Sequence, residues 1–253
     1  MQNELEFTKE LARRAGKMLL EGHASFDRLS DKDDGEVVTD LDKKINAFIL
    51  DRIQSTFPND DILSEEDDPV EKGKGSRLWV VDPIDGTVNM TRGIPFFCVS
   101  IALWGKGEAL VGAVYDPVHD EMFSASRGEG ATLNGQQIHV KEDELEEGLV
   151  FHGQPYNKED ADEGWERVTP LREESLFDRQ LGSAALMLCY VACGRGDVVS
   201  ISQTTAWDSA AGALMIWEAG GRVTDFNGQP WQLDTRGISG GSKRAHKEAR
   251  EIL

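Results

Sequence analysis

The segment Trp79-Val80-Val81-Asp82-Pro83-Ile84-Asp85-Gly86-Thr87-Val88-Asn89 decides how the rest of the chain is read. An apolar strand runs into two carboxylates three residues apart, followed by a glycine, a hydroxyl and an amide. Carboxylates that emerge together at a strand end repel one another and call for a positive group between them. Hard divalent cations such as Mg²⁺ suit an all-oxygen site and keep open positions for water and phosphate oxygens. Pro83 restricts the backbone between the acids, and Gly86 lets a ligand approach the main chain. The amides of Gly86 and Thr87, if they open a helix, receive an anion. Taken by itself, Asp-Pro-x-Asp-Gly is equally the composition of a turn.

Composition narrows the classes available. A chain of 253 residues, 39% hydrophobic and 29% charged, can bury a substantial core as one large domain or two intimate halves, and is not disordered. No linker divides it; the expected halves are 1–147 and 148–253. A formal net charge of −19 argues against a nucleic-acid polymer as partner, because phosphate backbones are bound by surplus Lys and Arg. A small phosphorylated metabolite remains compatible, since a bound metal reverses the local field. The acidic runs Glu142-Asp143-Glu144-Leu145-Glu146-Glu147 and Asp160-Ala161-Asp162-Glu163 are expected to be solvated. Cys98, Cys189 and Cys193 form neither a zinc-like nor a redox pair, and read as core thiols in a reducing compartment. His152 stands out among the five histidines by lying in the half expected to hold the substrate. No apolar run has the length of a membrane span. Met1-Gln2-Asn3-Glu4 lacks a basic region leading into a hydrophobic one, so the expected compartment is the cytoplasm, with no membrane partner.

Periodicity predicts amphipathic helices at Glu4 to Leu20 and Asp40 to Thr56, the latter stopped by Pro58. Strands are expected at Asp61–Leu63, Arg77–Val81, Val99–Trp104, Ala109–Tyr115, Glu121–Ala125 and Ala131–Leu133, punctuated by glycine turns. The second half predicts a strand from Leu149, a charged helix before Leu176, and a buried helix at Gly182 to Cys193. A strand at Val198–Ile201 should follow, then an Ala/Gly-rich helix at Asp208 to Ala219, a strand at Arg222–Asp225 and a terminal helix at Lys243 to Ile252. The pattern alone gives mixed α and β.

Two distant segments bear on the first motif. Ile62-Leu63-Ser64-Glu65-Glu66 is a second apolar run ending in paired acids, and Ala206-Trp207-Asp208 opens a small-residue helix closed by Glu218-Ala219-Gly220-Gly221. With Val38-Thr39-Asp40-Leu41-Asp42 near the start, their order and spacing resemble the inositol monophosphatase family, within the lithium-sensitive, metal-dependent phosphatases, along nearly the whole chain. The resemblance implies an α+β fold, the layered αβαβα sandwich of the inositol monophosphatase and fructose-1,6-bisphosphatase type, and a homodimer. It also implies two or three Mg²⁺ ions per site. Glu65, Asp82 and the Ile84 carbonyl match the ligands of one metal, Asp82, Asp85 and Asp208 those of a second, and Glu65 contributes to a third. Thr87 falls where the family positions the attacking water, with Asp42 as its carboxylate partner and Glu66 as an outer support or acid/base aid. Gly86 and Thr87 match the phosphate cradle. Arg179, Gly182, Ser183 and Asp208 match the substrate side, although a helix N-cap explains Ser183 equally well. Lys32 is near the position of a basic residue beside the third metal, and Asn89 supports the inositol-type motif over the nucleotidase type.

One position departs. Seven residues before Asp208, where many family members carry a glutamate that binds inositol hydroxyls, this chain has Ile201, which cannot accept a hydrogen bond. The expected activity is therefore a Mg²⁺-dependent phosphomonoesterase acting on inositol phosphate or a related sugar or polyol phosphate, with broadened specificity. The rivals are a histidinol-phosphatase, a fructose-1,6-bisphosphatase or a 3′-phosphoadenosine 5′-phosphate nucleotidase of the same fold. Outside catalysis, the rival is a metal- or phosphate-binding regulator.

Overall fold

The computed structural model describes residues 1–23, 28–31, 37–67, 76–153 and 158–253. Along the first part run α1 (Gln2–Gly22), the paired β1 (Arg28–Asp31) and β2 (Val37–Thr39), α2 (Asp40–Thr56), β3 (Asp61–Ser64), β4 (Arg77–Asp85) and the short α3 (Thr87–Thr91). Then come β5 (Cys98–Gly105), β6 (Glu108–Asp116), β7 (Glu121–Ser126), β8 (Gly130–Leu133) and β9 (Gln136–Ile138). The second part holds β10 (Leu149–Gly153), α4 (Lys158–Glu174), β11 (Phe177–Arg179), α5 (Ala184–Ala192), β12 (Val198–Ile201), α6 (Ala206–Glu218), β13 (Arg222–Thr224), β14 (Ile238–Gly241) and α7 (Lys243–Ile252).

Strands β3 to β9 lie in sequence order in a seven-stranded sheet, whereas the five-stranded sheet has the order β11-β10-β12-β14-β13. Alternation along the strands assigns each face its own apolar partner. Val81, Val99, Ile101 and Leu103 project to one side of the larger sheet and pack with Leu11, Leu19, Ile45 and Ile49 of α1 and α2. Val80, Ala102 and Val114 project to the other, against Leu186, Leu188, Leu214 and Met215 of α5 and α6. Phe151, Val199 and Ile201 of the smaller sheet close on the same two helices. Val150 and Val198 face outward to Leu171 of α4 and Ala245 and Ala249 of α7. The five layers are thus helices, sheet, helices, sheet, helices, the expected αβαβα sandwich.

Several boundaries differ from expectation for local reasons. Strand β4 does not stop at Val81 but runs through Pro83 to Asp85, because a bulge there removes the need for Pro83 to donate to the ladder. Helix α5 begins at Ala184 rather than Gly182 because Ser183 caps it, its hydroxyl accepting the Leu186 N–H at 3.4 Å. Helix α6 begins at Ala206, two residues early, behind the Thr205 cap. Strands β9, β11 and β14 carry too little apolar periodicity to be anticipated. In β14, Ile238-Ser239-Gly240-Gly241 is nonetheless fully buried between β12 and β13. Cys98 and Cys189 are core thiols as expected, but Cys193 is only half-buried. Among the described residues no helix is long and apolar enough to cross a membrane.

The small residues of α6 permit close helix contact. A Cβ added at Gly212 would stand 2.5 Å from Leu188 Cβ of α5. Gly212→Val should therefore lower the denaturant midpoint, costing about 1–3 kcal/mol by overpacking, which an unfolding titration measures.

A second consequence concerns pH. His246 of α7 is buried, with Nε2 3.0 Å from Thr224 Oγ1. Burial, reinforced by the charges of Arg250 and Arg222, pushes its pKa down to about 4 from 6.5. Between these values the unfolded chain binds a proton that the folded chain refuses, so stability is complete above pH 6.5 and lost as pH falls toward 4. His246→Gln should flatten the slope of stability against pH in that window relative to wild type, while leaving the slope above pH 7 unchanged.

Candidate active site

Residues three apart on a regular strand point to opposite faces, so Asp82 and Asp85 ought not to meet. The ladder between β4 and β5 solves this. Asp82 pairs with Ser100 and Asp85 with Cys98, three residues against two, so one extra residue in β4 turns both carboxylates to the same face. The Ile84 N–H donates to Asp82 Oδ1 at 2.9 Å inside this bulge. That face is the one covered by α5 and α6. Strand β3 runs parallel to β4 with Ser64 opposite Val81, which carries Glu65 alongside Asp82.

Asp208 arrives from α6. Its Oδ2 accepts from Thr205 N–H (3.1 Å), Thr205 Oγ1 (2.9 Å) and Thr204 Oγ1 (3.2 Å), making it the third residue of a capping box. One carboxylate oxygen from each of Asp82, Asp85 and Asp208 then lies within 4.8 Å of the other two. Asp85 is also bound to the start of α5. Its Oδ2 accepts from Ser183 Oγ at 2.5 Å and from Ala185 N–H at 2.8 Å, and its Oδ1 from Ala184 N–H at 3.2 Å. The Cys98 thiol approaches Oδ2 at 3.6 Å.

Crowding raises the proton affinity of the buried acids. Burial, followed by the charges of Glu65, Asp85 and Asp208, pushes Asp82 well above the usual carboxylate range. Burial and the Asp208 charge lift Asp85 to about 7 even against the three donors from α5. Hydrogen bonds and helix dipoles therefore leave this charge undercompensated, which is the condition that a bound cation relieves.

Gly86 makes the exit from β4 possible. Its φ is +94°, and a Cβ there would stand 3.0 Å from Phe96 O and 3.3 Å from Gly182 O. Thr87 follows, its hydroxyl 2.8 Å from Ile84 O and 3.1 Å from Asp42 Oδ1. Asp42 has both of the roles that its position allows. Its Oδ2 accepts the Thr39 N–H at 2.8 Å and bonds the Thr39 hydroxyl, closing the capping box of α2, while its Oδ1 faces Thr87. Asn89 links the segment before β5 to the segment before α5, its Nδ2 donating to Phe96 O (2.8 Å) and Leu181 O (2.7 Å).

Of the residues expected from the sequence, Asp82, Asp85 and Asp208 are brought together, Glu65 joins their electrostatic neighbourhood, and Thr87 meets both Asp42 and the Ile84 carbonyl. Glu66 is half-buried next to Glu65. Ser183 and the amides that follow Gly182 are directed at Asp85, while Arg179 lies exposed at the end of β11, donating to the Asp178 carbonyl at 2.6 Å. Ile201 is packed in the core, 4% exposed, against Gly153. His152 does not touch the acids described; it pairs with Asp178. Lys32 lies outside the described residues. Thr39, Thr204, Thr205 and Cys98 also contact the acids, although the sequence pointed to no site role for them. The first and third were legible, since Thr39-x-x-Asp42 and Thr205-x-x-Asp208 are capping boxes.

A five-layered α+β sandwich with an acidic cluster where its middle helices begin describes a defined class of proteins. The chain belongs to the inositol monophosphatase family, whose model matches residues 1–252. It is 38% identical to a protein of Pasteurella multocida named Nus factor SuhB, covering 98% of this chain and 94% of that one. It is 36% identical to inositol monophosphatase 2 of Solanum lycopersicum, over 94% and 93% of the two chains. The crystal structure of the extragenic suppressor protein SuhB from Bartonella henselae superposes with a TM-score of 0.93 at 31% identity, covering 99% of this chain and 98% of that one.

The crowded acids predict opposite effects of one substitution in two buffers. In chelator, Asp82→Asn should raise the thermal midpoint, because it removes a buried charge repelled by three neighbours. Added Mg²⁺ should raise the midpoint of wild type and much less that of the variant. Thermal unfolding with and without the metal measures both shifts.

Proposed function

We propose that the chain is a Mg²⁺-dependent phosphomonoesterase acting on small sugar or polyol phosphates, inositol phosphate among them. The observation that carries this reading is the convergence of Asp82, Asp85 and Asp208 beside the Gly86-Thr87 step. The donor set fits a hard divalent cation: it is all oxygen, partly buried, and undercompensated in charge. Glu65, Asp82 and the Ile84 carbonyl would hold one Mg²⁺, Asp82, Asp85 and Asp208 a second, and Glu65 would contribute to a third. Bound there, the cations supply a lowered water pKa and neutralisation of phosphoryl and leaving-group charge.

The chain's own groups do the positioning. The Thr87 hydroxyl, with its proton turned to Asp42 or the Ile84 carbonyl, presents lone pairs that accept a hydrogen bond from the attacking water. Asp42 fixes that rotamer, and the Thr39 cap fixes Asp42. Gly86 and Thr87 offer main-chain donors to the phosphate at a point where no side chain obstructs approach. Ser183 and the Ala184 and Ala185 amides hold Asp85 at the angle the cluster needs, and Glu66 supports Glu65 from outside.

Ile201 is packed in the core and brings no acid toward the alcohol half of the substrate, so carboxylate recognition of a hydroxyl from that position is absent and several phosphomonoesters should be accepted. The net charge of −19 favours small substrates over nucleic-acid polymers. The setting proposed is a cytoplasmic homodimer. A regulator that binds metal or phosphate without turnover is the second reading, raised by relatives that carry the name Nus factor. The complete acidic set favours the enzyme.

Phosphate release from a panel of phosphomonoesters, with and without Mg²⁺, separates the two. Turnover should be abolished by excess chelator and by Asp208→Ala, and Thr87→Ala should lower kcat by roughly a hundredfold or more with a smaller change in KM. Full activity in chelator would overturn the metal dependence, and no release from any ester would leave only the regulator.

A further inference from the structure

The outward face of the five-stranded sheet carries polar groups that the chemistry above does not use. Alternation sends Val199 and Ile201 of β12 inward and Val198 and Ser200 outward, beneath α4 and α7. Ser200 stands opposite His152 of β10 on one side and opposite Ser239 of β14 on the other. All three are at least nine-tenths buried, yet Ser200 Oγ, Ser239 Oγ and His152 Nδ1 have no hydrogen-bond partner among the described residues. The other ring nitrogen of His152 is occupied by Asp178, 3.0 Å away. A buried polar group left unsatisfied is destabilising.

Two residues further along the same face come Ser202, after β12, and Gly237, before β14. The Ser202 N–H extends the ladder by donating to Gly153 O at 3.1 Å. Ser202 and Gly237 both line a cleft of about 420 Å³, within the size range of small-molecule sites. The row of unpartnered polar groups lies on the same face of the sheet, two residues in from Ser202 and Gly237.

The walls define the chemistry. Among the described lining residues, Arg167 and Arg236 are equal in number to Asp225 and Asp234. Asp225 is already engaged, its Oδ1 accepting from Asn227 and Gln229 N–H groups. Ser202, Gln203 and Asn227 bring hydroxyl and amide groups that both donate and accept, and Phe226 brings an aromatic wall backed by Arg167 at 5.7 Å. That balance favours neither a cation nor an anion.

We propose that this cleft is a second ligand site, distinct from the acidic cluster, which takes a small uncharged polyhydroxylated molecule such as a sugar or cyclitol. Its hydroxyls would bond Ser202, Gln203 and Asn227 and reach toward Ser200 and Ser239. The site stands whether or not the acidic cluster hydrolyses phosphate. It also has a route to that cluster through the segment joining β12 to α6. Thr204 N–H donates to Arg236 O at 2.6 Å, while the Thr204 hydroxyl donates to Asp208 Oδ2 at 3.2 Å. An occupant of the cleft therefore braces the segment that holds Asp208.

The test is calorimetric titration of the intact protein in chelator with myo-inositol, D-glucose and inorganic phosphate. At least one of the two polyols should bind wild type and Asp85→Asn alike, and the Ser202→Ala/Asn227→Ala double variant should bind it about tenfold more weakly. Backbone amide shifts in labelled wild type give a readout independent of any variant, and should concentrate at 202–204, 225–227 and 234–237. The proposal is overturned if neither polyol binds, or if the shifts concentrate at 85–87 and 182–185. It is equally overturned if phosphate, and not a polyol, is what the double variant ceases to bind.

Discussion

Mutual repulsion among Asp82, Asp85 and Asp208 is the constraint around which the middle of this molecule is arranged. Taking a carboxylate out of water costs several kcal/mol even after relaxation, and two of these three are buried. What the protein supplies in return is the starting ends of helices. Asp208 sits in the capping box of α6, Asp85 accepts from the first turn of α5, and Asp42, beside them through Thr87, closes the box of α2. A helix end contributes roughly 0.3–1 kcal/mol to a nearby anion, rising to about 2 in buried geometry. Such contributions orient the acids but do not neutralise them, and Asp85 still sits near 7. The remaining deficit is a net negative charge that a cation placed among the acids would offset.

The same arrangement explains why a layered fold is used. The larger sheet delivers Glu65, Asp82 and Asp85 at neighbouring strand ends, and the middle helices deliver Asp208 and the donors to Asp85. Their contact must be close, and Gly212 against Leu188 and Gly112 against Ala211 show the clearance involved. Asn89 and Gly86 seal the junction at the front, where the chain leaves β4 and approaches the segment before α5. Stability in this region and the geometry of the site are properties of one set of contacts, so core substitutions along α5 and α6 will be felt at the acids.

The smaller sheet divides the molecule differently. Its inward side is apolar and continuous with the layer of α5 and α6, whereas its outward side mixes apolar packing under α4 and α7 with the His152, Ser200 and Ser239 row. Ile201 belongs to the inward side and is packed rather than displayed. Its branched apolar side chain brings no hydrogen-bond acceptor to that position and fills core space against Gly153.

Much of this was legible in the chain itself. The period of apolar residues located α1, α2 and the larger sheet, because one-sided burial writes itself into sequence at 3.6 or 2 residues. The acids Glu65, Asp82 and Asp85 were visible where apolar runs end and Asp208 where a small-residue helix opens, and the capping boxes at Thr39 and Thr205 were written in equally local code. The Gly-rich β14, the short β9 and β11, and the row formed by His152, Ser200 and Ser239 were not legible, since they depend on which strands become neighbours. Nor did local pattern show that Asp82 and Asp85 share a face. Strand alternation alone would separate them, and only the pairing with Ser100 and Cys98 creates the bulge that turns them together. Sequence determined which side chains bring acids, hydroxyls and amides, and near which helix ends, because residue type and local propensity are properties of short segments. Tertiary structure decided which of them meet, because register and layer packing are set by contacts between residues far apart in the chain.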